Sequence, residues 1–138
     1  AQLVLKRRFA MSHLTYDLIK TGLDVSALRQ RTVSSNIANI NTPDYKVNKV
    51  EFEENLQSAM DKTDVNLEKT HPDHFGIGRL SDVEPVVEKR RSTSLNDNGN
   101  NVDVDVEMTE LAANDVYYNV LVAQLNARLA SLNYVINK

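Results

Sequence analysis

The chain has no cysteine and no tryptophan, and aromatic residues make up only 6% of it. Without cysteine there can be no disulfide, thiolate metal site or cysteine nucleophile. The scarcity of aromatics is thin for a compact globular core and normal for helical assemblies. No apolar run reaches the roughly 18 residues that a membrane helix needs. Glycine and proline are also sparse, at four and three residues, so long stretches carry nothing to break a helix.

Charge excludes a further class. Apolar residues make up 41% and charged residues 25% of the 138 residues, with a formal charge of −3. The first ten residues, AQLVLKRRFA, hold Lys6, Arg7 and Arg8 and no acid; removing those three from the 16 basic residues leaves 13 against 19 acidic ones. An acidic chain does not suit nucleic acid, whose binding is dominated by phosphate neutralisation. Met11-Ser12 reads as a natural start, with Ala1 to Ala10 an expression remnant. A secretory leader is the rival reading, but Leu3 to Leu5 is far too short for its apolar core, so no cleavable signal is expected.

What is present is a long apolar periodicity in the last third. Steps of four and three give Val104, Met108, Leu111, Asp115, Tyr118, Val122, Leu125, Leu129, Leu132 and Ile136. Nine of these ten are apolar, the pattern of a heptad seam along a helix. At about 1.5 Å per residue that helix would run roughly 50 Å. Burying one such side chain stabilises by on the order of 1.5–3 kcal/mol, and a lone helix in water collects none of it, so the seam needs a partner. Asn98-Gly99-Asn100-Asn101 precedes it as a turn, and Glu107 and Glu110 favour a helix N-terminus, placing the start near Asp103 or Asp105.

At the other end, Met11 to about Ile40 predicts a first helix capped by Ser12. It carries two part-apolar stripes: Leu14, Leu18, Thr21, Val25, Leu28, Thr32, Ser35, and Ile19, Leu23, Ser26, Gln30, Val33, Ile37, Ile40. Two stripes suit contact with more than one neighbour. Asn39 to Asp44 stops the helix, because Asn accepts a left-handed C-cap and Pro43 pushes Thr42 toward extended geometry. Tyr45 to Phe52 alternates with a slip in phase, which fits either a short strand with a bulge or a strand passing into a helical turn from Phe52 to Met60. Asp61 to Ser81 reads as loop, and Val83 to Glu88 as an edge strand around Pro85.

The expected fold is therefore α+β and mainly α, with long terminal helices forming a coiled-coil-like pair around a small β-rich or irregular insert. The divisions are 1–10 (remnant), 11–43 (N-terminal helix), 44–101 (insert) and 102–138 (C-terminal helix), with 11–138 one structural unit.

No constellation of residues calls for catalysis. His71-Pro72-Asp73-His74 places two histidines and an acid together, but a zinc site takes three or four ligands and His13 lies in another element. A solvated loop is the reading, with no metal and no cofactor. The paired acids Glu53/Glu54, Asp103/Asp105 and Glu107/Glu110 sit where caps or solvated faces account for them. Gly76-Ile77-Gly78 lacks the third glycine and the strand–helix setting of a phosphate loop, no nucleophile elbow exists, and Lys89-Arg90-Arg91 reads as solvated surface. No small-molecule substrate is expected.

Two longer motifs remain. Ser34-Ser35-Asn36-Ile37-Ala38-Asn39-Ile40-Asn41-Thr42-Pro43-Asp44-Tyr45-Lys46 resembles the N-terminal motif of bacterial flagellar rod, hook and hook-associated proteins. Asp44 stands where that motif has Gly, and Asp tolerates the left-handed region better than most residues. Asn98 to Ala112 is similar to the entry into the C-terminal helix of the B-type proximal rod subunits, and the histidine-containing loop around His71 is similar to theirs. The resemblance spans nearly all of Met11 to Lys138. It implies a non-enzymatic structural subunit of the proximal rod in the flagellar basal body, within the cell envelope. Such a subunit is exported by the flagellar type III apparatus without a cleaved signal peptide. It assembles through terminal helices with the insert outside, and transmits torque. The implied partners are other rod proteins, export-gate and membrane-ring base components, the hook–basal-body adaptor, and further copies of itself.

The residues expected to carry assembly are Leu18, Val25, Leu28, Val33, Asn36, Ile37, Asn39, Thr42, Pro43 and Tyr45 at the N-terminal end. On the C-terminal seam they are Met108, Leu111, Tyr118, Val122, Leu125, Leu129, Leu132 and Ile136. The alternative is a helical adaptor or regulator that self-associates through the same seam and has no need of the Asn39–Tyr45 motif.

Overall fold

The structure, a computed structural model, describes residues 2–64, 83–91 and 97–137, with the backbone alone for residues 2–13 and 62–64. The chain runs α1 (Gln2–Ala38), β1 (Asn48–Glu51), α2 (Glu53–Asp64), β2 (Val86–Lys89) and α3 (Val104–Ile136). The mainly helical plan with a small sheet in the insert is the one the periodicity predicts. The expected loop around His71 and His74, with Gly76 and Gly78, lies outside the described residues.

Helix α1 begins at Gln2, ahead of the expected Ser12 cap. Leu, Lys, Arg and Ala between Gln2 and Ser12 are strong helix formers, and nothing there interrupts the backbone. Its other end falls at Ala38, where the Asn39 amide donates to Ser35 and Asn36 carbonyls at 3.1 and 3.2 Å. Helix α3 starts as expected. The Asp103 side chain caps it by accepting from the amides of Asp105 and Val106 at 3.0 and 3.3 Å.

The two long helices pack antiparallel. Asn36 meets Glu107, Ser26 meets Asn114, and Gly22 lies under Tyr117 and Leu121, so residue numbers rise along one helix as they fall along the other. At Gly22 an added methyl group would come within 3.0 Å of Leu121 Cδ1 and 3.3 Å of the Tyr117 hydroxyl. Glycine at this point permits the close crossing.

The insert folds back on the second half of α1. Strands β1 and β2 pair antiparallel, with Val50 opposite Val87 and Glu51 opposite Val86. Val25 of α1, Val50 of β1 and Phe52 form the buried cluster, with Leu28, Leu56 and Val83 packed around it. The two stripes of α1 therefore do separate work: Val25 and Leu28 of the first meet the insert, while Ser26 of the second, with Gly22 outside both stripes, meets α3. Among the described residues the insert carries more helix than strand, because α2 extends twelve residues and each strand only four.

Candidate assembly interface

Between the end of α1 and the start of α3 lies a continuous polar clamp. Asn36, 1% exposed, makes four hydrogen bonds through its side chain. Its amide nitrogen donates to the Asn48 carbonyl at 2.8 Å and to Glu107 Oε2 at 3.0 Å; its oxygen accepts from the Tyr45 hydroxyl and the Asn48 amide, both at 3.1 Å. Asn100, wholly buried, directs its side-chain nitrogen at the carbonyls of Asn39, Ile40 and Thr42, at 2.9, 2.9 and 2.8 Å. These carbonyls lie in the turn that follows α1, where those of Asn39 and Thr42 also accept the Thr42 and Tyr45 amides at 3.0 and 3.3 Å. Asn101 accepts from the Val47 amide at 2.7 Å and donates to the Arg90 carbonyl at 2.7 Å, tying the sheet to the same clamp. The turn itself turns on Asp44, whose φ of 57° lies in the left-handed region. Its amide donates to the Asn98 carbonyl at 2.9 Å.

The two motifs read in the sequence are thus halves of one intrachain device. Farther along the helical pair, Asn114 donates to the Ser26 carbonyl at 3.0 Å and accepts from the Ser26 hydroxyl at 3.1 Å, with both residues buried. On the insert side, Arg29 grips Glu53 with two guanidinium nitrogens, Nη1 reaching Oε1 at 2.7 Å. This bond holds the Glu53 carboxyl below the usual carboxylate range and the arginine above its own. Burial raises the Tyr117 phenol, helped by the nearby Glu53 charge.

An open cleft of about 450 Å³ lies between α1, β1 and α3. Of the charged groups that line it, Arg29 pairs with Glu53, Lys49 pairs with Glu51 at 2.9 Å, and Glu107 accepts from the Asn36 side-chain amide. Among the described residues no group of three or more His, Asp or Glu is placed to hold a metal ion, and no helix is long and apolar enough to cross a membrane.

The sequence-predicted interface residues divide sharply. Val25 and Asn36 are buried inside the chain; Leu28, Val33, Ile37, Asn39 and Tyr45 are half-buried; Leu18, Thr42 and Pro43 are exposed. On α3, Leu111, Val122 and Leu125 are half-buried, whereas Met108, Tyr118, Leu129, Leu132 and Ile136 are exposed. The buried positions of α3 are instead Glu107 and Asn114. Sequence reasoning assigned Glu107 to a helix start and did not single out Asn114. Their separation by seven residues was the available signal, but a polar pair at heptad spacing is hidden by the apolar residues around it.

The apolar surface of α3 goes all the way round the helix. Besides the seam residues, Val106, Val116, Val120, Tyr134 and Val135 are exposed, Val116 and Tyr134 each by 64%. A helix that is apolar on every side is normally found surrounded by other chain. In this chain α1 covers one side only.

Comparison with known proteins points the same way. The family described as "Flagella basal body rod protein" matches residues 21–46, the second half of α1 and the Asp44 turn. The chain is similar to the flagellar basal body rod protein FlgB of Borreliella burgdorferi, 39% identical over 83% of this chain and 89% of that protein. FlgB of Bacillus subtilis is 37% identical, over 88% of this chain and 92% of that protein. FlgB of Escherichia coli is 27% identical, over 83% and 87%.

Proposed function

The chain belongs to the FlgB family of flagellar basal body rod proteins, and on that premise we propose that it is a structural subunit of the proximal rod. It joins the rod through the outward faces of its terminal helices and passes torque between neighbours. The observation that carries this reading is the apolar surface left uncovered around α3. Each such side chain, once fully buried by a neighbour, contributes on the order of 1.5–3 kcal/mol.

The clamp fits a load-bearing part. Torque delivered to one helix reaches the other through buried hydrogen bonds at Asn36, Asn100 and Asn114, which cannot slip without leaving polar groups unsatisfied. Within the expected set, Asn36 and Asn39 serve the interface by holding the two helices in register. Leu18, Met108, Tyr118, Leu129, Leu132 and Ile136 offer the contact surface. Catalysis plays no part in this role. The partners are other rod proteins, copies of the chain itself, and the export-gate, membrane-ring and hook–basal-body adaptor components at the rod base. The place of work is the basal body, reached by export without a cleaved signal peptide.

Expressing the chain in a strain that lacks its own FlgB-type rod protein tests the reading. Swimming should return, and the chain should co-fractionate with basal bodies. A folded, exported chain that stays out of basal bodies would sink the proposal.

A further inference from the structure

Asn98-Gly99 is the one Asn-Gly step in the sequence, and it stands in the turn that leads into the clamp. From its geometry we propose that Asn98 is a site of self-modification, converting through a cyclic imide to aspartate and isoaspartate.

Three observations place the chemistry here. Asn98 is exposed, so water reaches its side chain. Gly99, at φ 79°, has no Cβ to obstruct approach of its own amide nitrogen to Asn98 Cγ. The Asn98 side-chain oxygen accepts from the Asn100 amide at 3.2 Å. That donor draws electrons from Cγ and stabilises the oxyanion that forms when the carbonyl is attacked. Among the described residues the other asparagines lack the combination, since none of them is followed by glycine. Asn114, Asn119, Asn126 and Asn133 lie inside α3, where the following amide is held by the helix, and Asn36, Asn100 and Asn101 are buried.

The reaction uses only water. Hydroxide takes the Gly99 amide proton, the nitrogen attacks Asn98 Cγ, a carbon–nitrogen bond forms, and the Cγ–NH2 bond breaks with release of ammonia. Water then opens the five-membered imide. Attack at Cγ returns aspartate on the ordinary main chain; attack at the main-chain carbonyl carbon gives isoaspartate, with an extra methylene in the backbone.

Isoaspartate lengthens the chain between two anchors. On one side the Asn98 carbonyl accepts from the Asp44 amide; on the other Asn100 donates to carbonyls of the turn that follows α1. Either product also adds a negative charge beside the Asp44 carboxyl group, whose oxygen packs against Gly99. Modification therefore loosens the clamp between the chain ends.

The test incubates the purified full-length protein at mildly alkaline pH, follows each asparagine by peptide mass mapping, and labels isoaspartate with isoaspartyl methyltransferase. Asn98 should convert at least about tenfold faster than any other asparagine, a barrier lower by about 1.4 kcal/mol. Hydrogen exchange on the aged protein should show faster exchange at the Asp44 and Val102 amides. Asn98→Gln, whose longer side chain closes this ring poorly, should keep both amides protected over the same time. An unmodified Asn98, earlier conversion at another asparagine, or much faster conversion of the chain in urea than folded would overturn the proposal. So would aged protein with unchanged exchange at those amides.

Discussion

The side-chain amide of Asn36 donates to a carboxyl oxygen of Glu107 at 3.0 Å, joining residues 71 positions apart. Both groups are almost wholly buried, so the bond is the point where the two ends of the chain are locked in register. Asn36→Ala removes the donor and leaves the Glu107 carboxyl buried without it. The cost should be about 3 kcal/mol, the range for an orphaned buried polar group carrying charge. Asn36→Asp keeps the shape but sets two carboxyl groups together, and should cost more. Asn36→Ala combined with Glu107→Leu should recover part of the loss, since no polar group is then orphaned there. Urea midpoints of the four proteins decide it, and equal stability of the alanine and wild-type chains would show that the bond contributes nothing.

That lock also explains what could and could not be read in advance. Helix α3 was legible to within a residue, because Asp103, the acids after it and the absence of Gly or Pro all agree. Asp44 was legible as a left-handed position only through the resemblance, whose motif has Gly there, together with the tolerance of Asp for that region. The face of α3 that meets α1 was not. Leu, Val, Tyr and Ala surround the helix, so periodicity has no single phase, and the seam through Met108, Tyr118 and Leu129 is as good a pattern as the true one through Glu107, Asn114 and Leu121. Polar residues in the buried face choose between them, and their partners, Asn36 and Ser26, lie at the other end of the sequence. The N-terminal start of α1 was missed for a simpler reason: a capping serine is a weak stop against a run of strong helix formers.

Asn100 gives a second prediction, with a sign that depends on chemistry rather than size. Its nitrogen caps three carbonyls, while its oxygen accepts from the Val102 amide at 2.8 Å. Asn100→Ala loses both functions and should cost about 2 kcal/mol. Asn100→Asp keeps the acceptor but turns an oxygen toward the Asn39, Ile40 and Thr42 carbonyls, so it should be the less stable of the two despite being nearly isosteric. Thermal unfolding of the pair measures the order. An aspartate variant more stable than the alanine one would mean that the bonds to the turn after α1 are of no consequence.

The Arg29–Glu53 pair predicts a pH dependence. Its hydrogen bond lowers the Glu53 pKa in the folded chain, so the stabilisation is present above the unfolded value and is lost as pH falls through the folded one, below the usual carboxylate range. The Glu53 side chain is 57% exposed, which holds the effect to at most about 1 kcal/mol. Protection of the α2 amides, taken relative to the intrinsic exchange rate at each pH, should fall on acidification, and Arg29→Gln should reduce this fall. Identical acid profiles with and without Arg29 would remove the pair from any part in docking the insert.

The last prediction separates folding from assembly. Val116 and Leu125 both lie on α3, but Val116 is 64% exposed, whereas Leu125 is half-buried, one turn from the Leu121 that packs on Gly22. A charge at an exposed position in the isolated chain disturbs little, so Val116→Asp should change the unfolding free energy by less than about 0.5 kcal/mol. A charge placed among apolar groups without a partner is far more costly, so Leu125→Asp should lose several kcal/mol. In cells the two should converge. If neighbouring subunits cover the outer side of α3, a charge at Val116 meets the same desolvation there that Leu125→Asp meets within the chain. Both strains should then fail to swim and should lack the protein in their basal bodies, although only one variant is unstable alone. Normal swimming with Val116→Asp would place this side of α3 in water in the finished rod and confine the contact surface to the seam residues from Leu129 to Ile136.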